Sequence, residues 1–259
     1  MKRAGLTLLI LVAVTLVAGL AQAHDFWLVP VGDEVEARTG DQFPTSTDAI
    51  DAARLVEASA VSVAGKQTLT VIGQRGKALV LRADMLAAGT FYAVVTLAPR
   101  EIRLDAKPFN TYLQEDGLPH IYADRRAHGE LGLPAVERYQ KFAKALLQHR
   151  GSGSTATAVM GQRFEIIARG DPTRMHVGDT LSVEVRFEGR PMAALVVNGG
   201  WQGQPTRHSF TGVTDGAGRV SVPLRHAGLW YLRTIHMRRV TEPNVQYESF
   251  WASLTFPVR

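Results

Sequence analysis

The sequence predicts a mainly β protein, built as two β-sandwich domains with a small helical insertion. Three observations carry that expectation. Short runs rich in Val, Leu, Ile and Thr recur at 53–63, 67–72, 77–82 and 90–98, separated by Gly65, Gly73, Gly76 and Gly89. Short strands with regular turn signals argue for a sandwich. About seven further runs crowd into roughly 100 residues between 162 and 258, the density of an immunoglobulin-like sandwich. Helical spacing is confined to 108–149, between the two series.

The chain opens with Lys2 and Arg3, an almost wholly apolar stretch over 4–20, and Ala21-x-Ala23. This is the pattern of a secretory signal cut after a small residue. Residues 1–23 are therefore expected to be a signal peptide, the protein periplasmic or secreted, and His24 its mature first residue. The apolar run of about 18 residues also reaches the lower limit for a membrane span, so an uncleaved anchor is the alternative.

A leading strand, a turn at Val31-Gly32-Asp33 and a second strand account for 26–39, and Gly40-Asp41-Gln42-Phe43-Pro44 ends the pattern. After the four short runs, 100–105 continues as strand. Phe109, Tyr112 and Leu113 then fall at helical spacing, and Pro119 to Arg126 extends as a second short helix. The strongest helical expectation is Pro134 to His149, where Val136, Tyr139, Phe142, Ala143, Leu146 and Leu147 share one helical face and Pro134 suits a first turn. Arg150 to Ala158 is small and polar, as linkers are. The expected domains are 24–150, a β-sandwich with the helical appendage, and 159–259, an immunoglobulin-like sandwich, joined by a linker at 151–158. Asp215 and its flanking glycines in 214–219 read as a tight turn, since an EF-hand needs several acids and a closing Glu.

Composition excludes several functions. Without cysteine there is no lipoprotein anchor, disulfide, thiolate nucleophile or Cys-ligated metal. Beyond the signal, 27 Lys+Arg face 24 Asp+Glu, a balance of about +3. The arginines are dispersed, so no basic aromatic stripe marks a nucleic-acid binder. There is no Gly-x-Ser-x-Gly elbow and no phosphate loop, and no enzymatic activity is expected.

A metal site is the remaining chemistry. A mature N-terminal His offers its α-amine and imidazole Nδ1 to one ion, and a metal can displace the amine proton below its usual pKa near ~8. Eight histidines are present, and none forms the His-Glu-x-x-His zinc pattern. His24 and His236 are the candidate ligands. His236 lies on the expected strand 229–238, where Leu232, Thr234, His236 and Arg238 share a face opposite Met237. The two meet only if the leading strand lies beside that one, and together they would form a histidine brace. Asp25 and Glu248 could add a carboxylate. His120, Asp124 and His128 have helical spacing, but on a short segment that reads as a solvated face. Met175-His176 and His236-Met237 suit a soft ion such as Cu(I).

The motifs AHDFWLVP at the mature start, RYQKFAKALLQ at 138–148, GQRFEIIARGDP at 161–172 and YESFWASLTFPV at 247–258 resemble, in order, the blocks of an exported bacterial domain-of-unknown-function family. Some of its members are encoded beside nickel and cobalt uptake systems. The segment 214–233 also resembles the core of Cna-B and transthyretin-like sandwich modules. The family resemblance implies a periplasmic accessory to nickel or cobalt uptake, with His236 matching a family histidine. Its partners would be the metal ion and a membrane metal-uptake transporter, with no nucleic acid and no lipid anchor. Nickel, cobalt or copper is the expected cofactor, and first-row affinity peaks at Cu(II). The alternatives are a metal-free sandwich acting as a binding or scaffold module, and a copper histidine-brace oxidase.

Overall fold

The computed structural model describes residues 24–83, 89–149 and 155–259. The expected signal peptide and much of the expected linker lie outside them. Among the described residues no helix is long and apolar enough to cross a membrane.

The chain is mainly β, in sandwich layers. Its first half runs β1 (Asp25–Val31), β2 (Glu34–Gly40), β3 (Leu55–Ser62), β4 (Gly65–Thr68), β5 (Thr70–Arg75), β6 (Ala78–Arg82), β7 (Gly89–Leu97) and β8 (Arg100–Leu104). Two helices follow, α1 (Ala106–Glu115) and α2 (Pro119–Ala127), then the long β9 (Ala135–His149). The second half holds β10 (Phe164–Ala168), β11 (Thr180–Phe187), β12 (Arg190–Pro191), β13 (Val196–Trp201), β14 (Phe210–Val213), β15 (Arg219–Pro223), β16 (Gly228–Glu242) and β17 (Val245–Val258). The expected turn at 214–219 is one: Asp215 Oδ1 accepts from the amides of Ala217 and Arg219, each at 2.9 Å.

The expected helix over 134–149 is instead strand β9, in the middle of a nine-stranded sheet ordered β14-β13-β16-β17-β9-β7-β3-β4, with β8 also on β9. From Lys141 to Leu147 every residue is buried, so a strand covered on both faces shows no alternation. Periodicity cannot separate such a run from a helix. The tertiary context chooses the strand. β7 and then β8 pair along one edge of β9, and β17 runs parallel along the other, from Tyr247 opposite Glu137 to Thr255 opposite Ala145. This sheet takes strands from both sides of residues 150–158, so that polar stretch does not divide the main sheet.

Two smaller sheets cover it. On one face lies the sheet of β10, β11, β12 and β15. Between them Phe142, Leu146, Leu232, Phe250, Leu254 and Phe256 meet Phe164, Ile166, Val183 and Val185 in one continuous apolar core. The opposite face is shared. The sheet β1-β2-β6-β5 covers β3, β7 and part of β9 through Phe26, Leu28, Leu81, Phe91 and Ala143. Helices α1 and α2 cover β16 and β17 through Phe109, Leu113, Ile121, Ile235 and Trp251. Helix α1 closes at Gly117 (φ +81°), where a Cβ would sit 2.7 Å from Val196; glycine meets both demands.

Candidate functional site

Between those two covers the face is polar. In β9, Glu137, Tyr139 and Lys141 alternate onto it, with Ser249, Trp251 and Ser253 beside them on β17 and Arg233 on β16. Here lies a cavity of about 350 Å³, floored by Arg100 and Ile102 of β8, Glu137, Tyr139, Lys141 and Trp251, and walled by His24, Asp48, Ile50 and Arg54.

Local structure places His24 at its rim. The β1–β2 register pairs Asp25 with Gly40, which sets His24 beside Asp41. At Gly40 the chain passes so close to Thr45 that a Cβ would lie 2.9 Å from the Thr45 carbonyl oxygen. The returning loop bridges Thr39 to Asp48, with Thr39 Oγ1 donating to the Asp48 carbonyl at 2.9 Å. The imidazole is thus held between two acids: Asp41 Oδ2 lies 3.3 Å from Nε2, and Asp48 Oδ2 contacts Nδ1. Lys141 Nζ donates to the His24 carbonyl and lies 5.2 and 5.3 Å from the Tyr139 and Trp251 ring centres.

Burial shifts the proton affinity of two floor groups. Burial pushes the Glu137 carboxyl up to about 7, although hydrogen bonds from Ser249 and Tyr112 favour its charged form. Burial pulls the Lys141 ammonium down to about 8, against the pull of Asp25. Glu137 Oε1 accepts from Ser249 Oγ and, at 3.3 Å, from Tyr112 OH. Its Oε2 has no hydrogen-bond partner among the described residues, and neither does Arg54 Nε.

Beyond Lys141 the polar seam continues as a buried charge cluster. Asp25, expected as an added ligand, is 2 % exposed. Its Oδ1 lies 3.4 Å from Arg233 Nε and its Oδ2 3.6 Å from Arg207 Nη2. Arg233 also binds Asp116 and lies 3.1 Å from His208 Nε2. Burial pushes the Asp25 carboxyl up even beside Arg233, and burial with these arginines pulls His208 down to about 3.

His24 and His236 are not brought together. In the β16–β17 register His236 opposes Phe250 and Ile235 opposes Trp251. His236 therefore points to the continuous apolar face, against Phe187 (4.9 Å between ring centres), Phe164 and Phe250, while His24 sits on the other face near Trp251. Burial, then Arg238 and His120, lower His236 to about 4. Glu248 shares the His236 face and is bound by Arg238 at 2.7 Å. His128 Nδ1 contacts the Asp124 carbonyl at 2.8 Å, Asp124 is held by Arg239 at 2.7 Å, and His120 Nε2 lies 3.4 Å from the Met237 carbonyl. None of these reaches His24.

The side-chain donors that can serve an ion at the rim are therefore His24 Nδ1 and Asp48, and the expected cut after Ala23 would add the His24 α-amine. Asp41 sits on the opposite ring edge, where it orients the ring as an outer partner does. Among the described residues no three His, Cys, Asp or Glu side chains form a metal group by themselves, so such a site needs the amine. The sequence reading missed Asp41, Asp48, Arg54, Glu137 and Lys141. The available signal was Glu137, Tyr139 and Lys141 at alternate positions of a run that also carries Arg138, Gln140 and Lys144.

The fold and site define a layered β-sandwich protein with a polar cavity between two covers of its main sheet. The family model of the domain of unknown function DUF4198 matches residues 21–238, and the chain belongs to that family. No curated protein matches it. Among solved structures it is similar to the D0-D1 domain of Intimin at 13% identity, over 90% of this chain and 98% of that one, with a TM-score of 0.21. A score that low carries no argument.

Proposed function

We propose that this is an exported protein that captures a divalent transition metal, nickel, cobalt or copper, at its mature N-terminus for delivery to a membrane uptake system. The observation behind the reading is the clamped His24 ring. Asp48 already contacts Nδ1, the nitrogen that chelates together with an N-terminal amine, and Asp41 holds the far edge of the ring. A neutral imidazole, an amine and a carboxylate form a donor set of intermediate hardness, suited to Ni(II), Co(II) or Cu(II). His236 has no part in it.

The test is calorimetric titration with each ion of two forms, one beginning at His24 and one carrying an extra alanine before it. Tight binding by the first, weakened at least tenfold by the alanine and by Asp48→Asn but unchanged by His236→Ala, is expected. Equal binding by both forms would remove the N-terminal site.

A further inference from the structure

The metal reading uses the rim of the cavity and leaves its floor unexplained. Two groups there stand out. Glu137 lines the space and is 1 % exposed, and its Oε2 is buried without a partner among the described residues. Arg54 lines the same space, its Nη2 committed to the Ala98 carbonyl at 3.0 Å and its Nε unpartnered among the described residues. A buried acceptor and a buried donor left without partners each cost roughly 1–3 kcal/mol, and such groups in a native fold call for an explanation.

The two differ in charge and line the same cavity. The Arg54 guanidinium carbon lies 5.5 Å from the centre of the Tyr139 ring. Tyr139 is two residues from Glu137 on the same strand face, a step of roughly 7 Å. Arg100, opposite Tyr139 in the β8–β9 register, adds a second cation at the Arg54 end. Lys141 is already turned to the His24 carbonyl. Ile50, Ile102 and Trp251 supply apolar wall. The lining thus combines the cations Arg54 and Arg100, the carboxyl of Glu137 and an apolar wall, and the volume lies at the small end of ligand pockets.

We propose that this cavity binds a free α-amino acid as its zwitterion, the carboxylate on Arg54 and Arg100, the ammonium on Glu137 Oε2, and an aliphatic side chain against Ile102 and Trp251. One small molecule then satisfies both orphaned groups, which a simple carboxylic acid or a simple amine does not. The high proton affinity of Glu137 fits an acid whose natural counter-ion comes with the ligand.

The experiment is run in chelator on the form with the extra N-terminal alanine, so its outcome is independent of the metal reading. Thermal shift with each of the twenty L-amino acids is followed by calorimetry with L-leucine, L-leucine amide, which lacks the carboxylate, and N-acetyl-L-leucine, which lacks the ammonium. Saturable binding of L-leucine at micromolar to submillimolar levels is expected, at least tenfold weaker for each derivative and for glycine. Arg54→Met should lose the discrimination against the amide, and Glu137→Gln that against the acetyl derivative, with circular dichroism confirming both folds. No shift with any amino acid, or equal binding of leucine and its two derivatives, would mean that water fills the cavity and would overturn the proposal.

Discussion

The two faces of the central sheet solve the same burial problem differently. One is covered by a single sheet and is mostly apolar, its polar groups including the buried Lys144–Glu165 pair and His236. The other is covered by two unrelated units, a sheet and a helix pair. Where those covers fail to meet, polar groups collect: Arg54, Glu137 and Lys141 around the cavity, Asp25, Arg233 and Asp116 beyond it. A single cover can exclude water everywhere, whereas two leave a seam between them. The candidate chemistry lies on the seam.

Four tests should break or sharpen that contrast. The largest effect is expected from Arg233→Ala, which leaves Asp25 and Asp116 buried without their main cation. Removing one partner of a buried ion pair costs about 3–5 kcal/mol, and urea unfolding should record it. Adding Asp25→Asn and Asp116→Asn should restore part of the loss. On the other face, Leu254→Ala cuts into the continuous core and should cost about 2–5 kcal/mol, with no rescue by any charge change. A loss for Arg233→Ala that the Asn changes do not recover would mean that the seam is held by packing.

The third test is pH. Glu137 holds its proton more tightly folded, at about 7, than unfolded, near 4.5. The stability it contributes is fully present below the unfolded value and lost as pH rises through the folded one, a loss of about 3 kcal/mol at most. Glu137→Gln should therefore gain stability over wild type at pH 8 and little at pH 4, by thermal melts. His236 and His208 have the opposite sign, with folded values of about 4 and about 3 against an ordinary 6.5. Their contributions are present above 6.5 and lost as pH falls toward the folded values. His236→Phe should blunt the acid-side loss and leave metal titration unchanged. The smallest effect expected is for Gly117→Ala. Its positive φ and the nearby Val196 side chain predict a loss of about 1–2 kcal/mol, and displacement of Asp116 should show in the mobility of the seam.

Much of the architecture was readable from the chain. Turn glycines and β-branched runs marked nearly every strand of both halves, and the two short helices fell where apolar spacing put them. β9 was not readable, for a physical reason. Burial on both faces erases alternation, and Val136, Tyr139, Phe142, Ala143, Leu146 and Leu147 suit a helix equally well. That error hid the site, because only as a strand does the segment put Glu137, Tyr139 and Lys141 on one face. His24 could be singled out because the expected export signal ends beside it. Its partners Asp41 and Asp48 could not, since they come to the ring through a hairpin end and a loop crossing. His236 carried a sequence signal too, but strand parity sends it through the sheet to the other side, and parity shows only when both partners are known.

The parallel contact of β9 with β17 also bears on the order in which the protein assembles. β17 comes last of the strands along the chain, yet it occupies the middle of the main sheet, beside a strand about 110 residues earlier. Pairings this distant in sequence are slow, because loop entropy is lost before any contact compensates. Until β17 arrives, β9 shows one bare edge and β16 lacks its neighbour, so neither half can close on its own. The chain should acquire its structure in a single late, cooperative step.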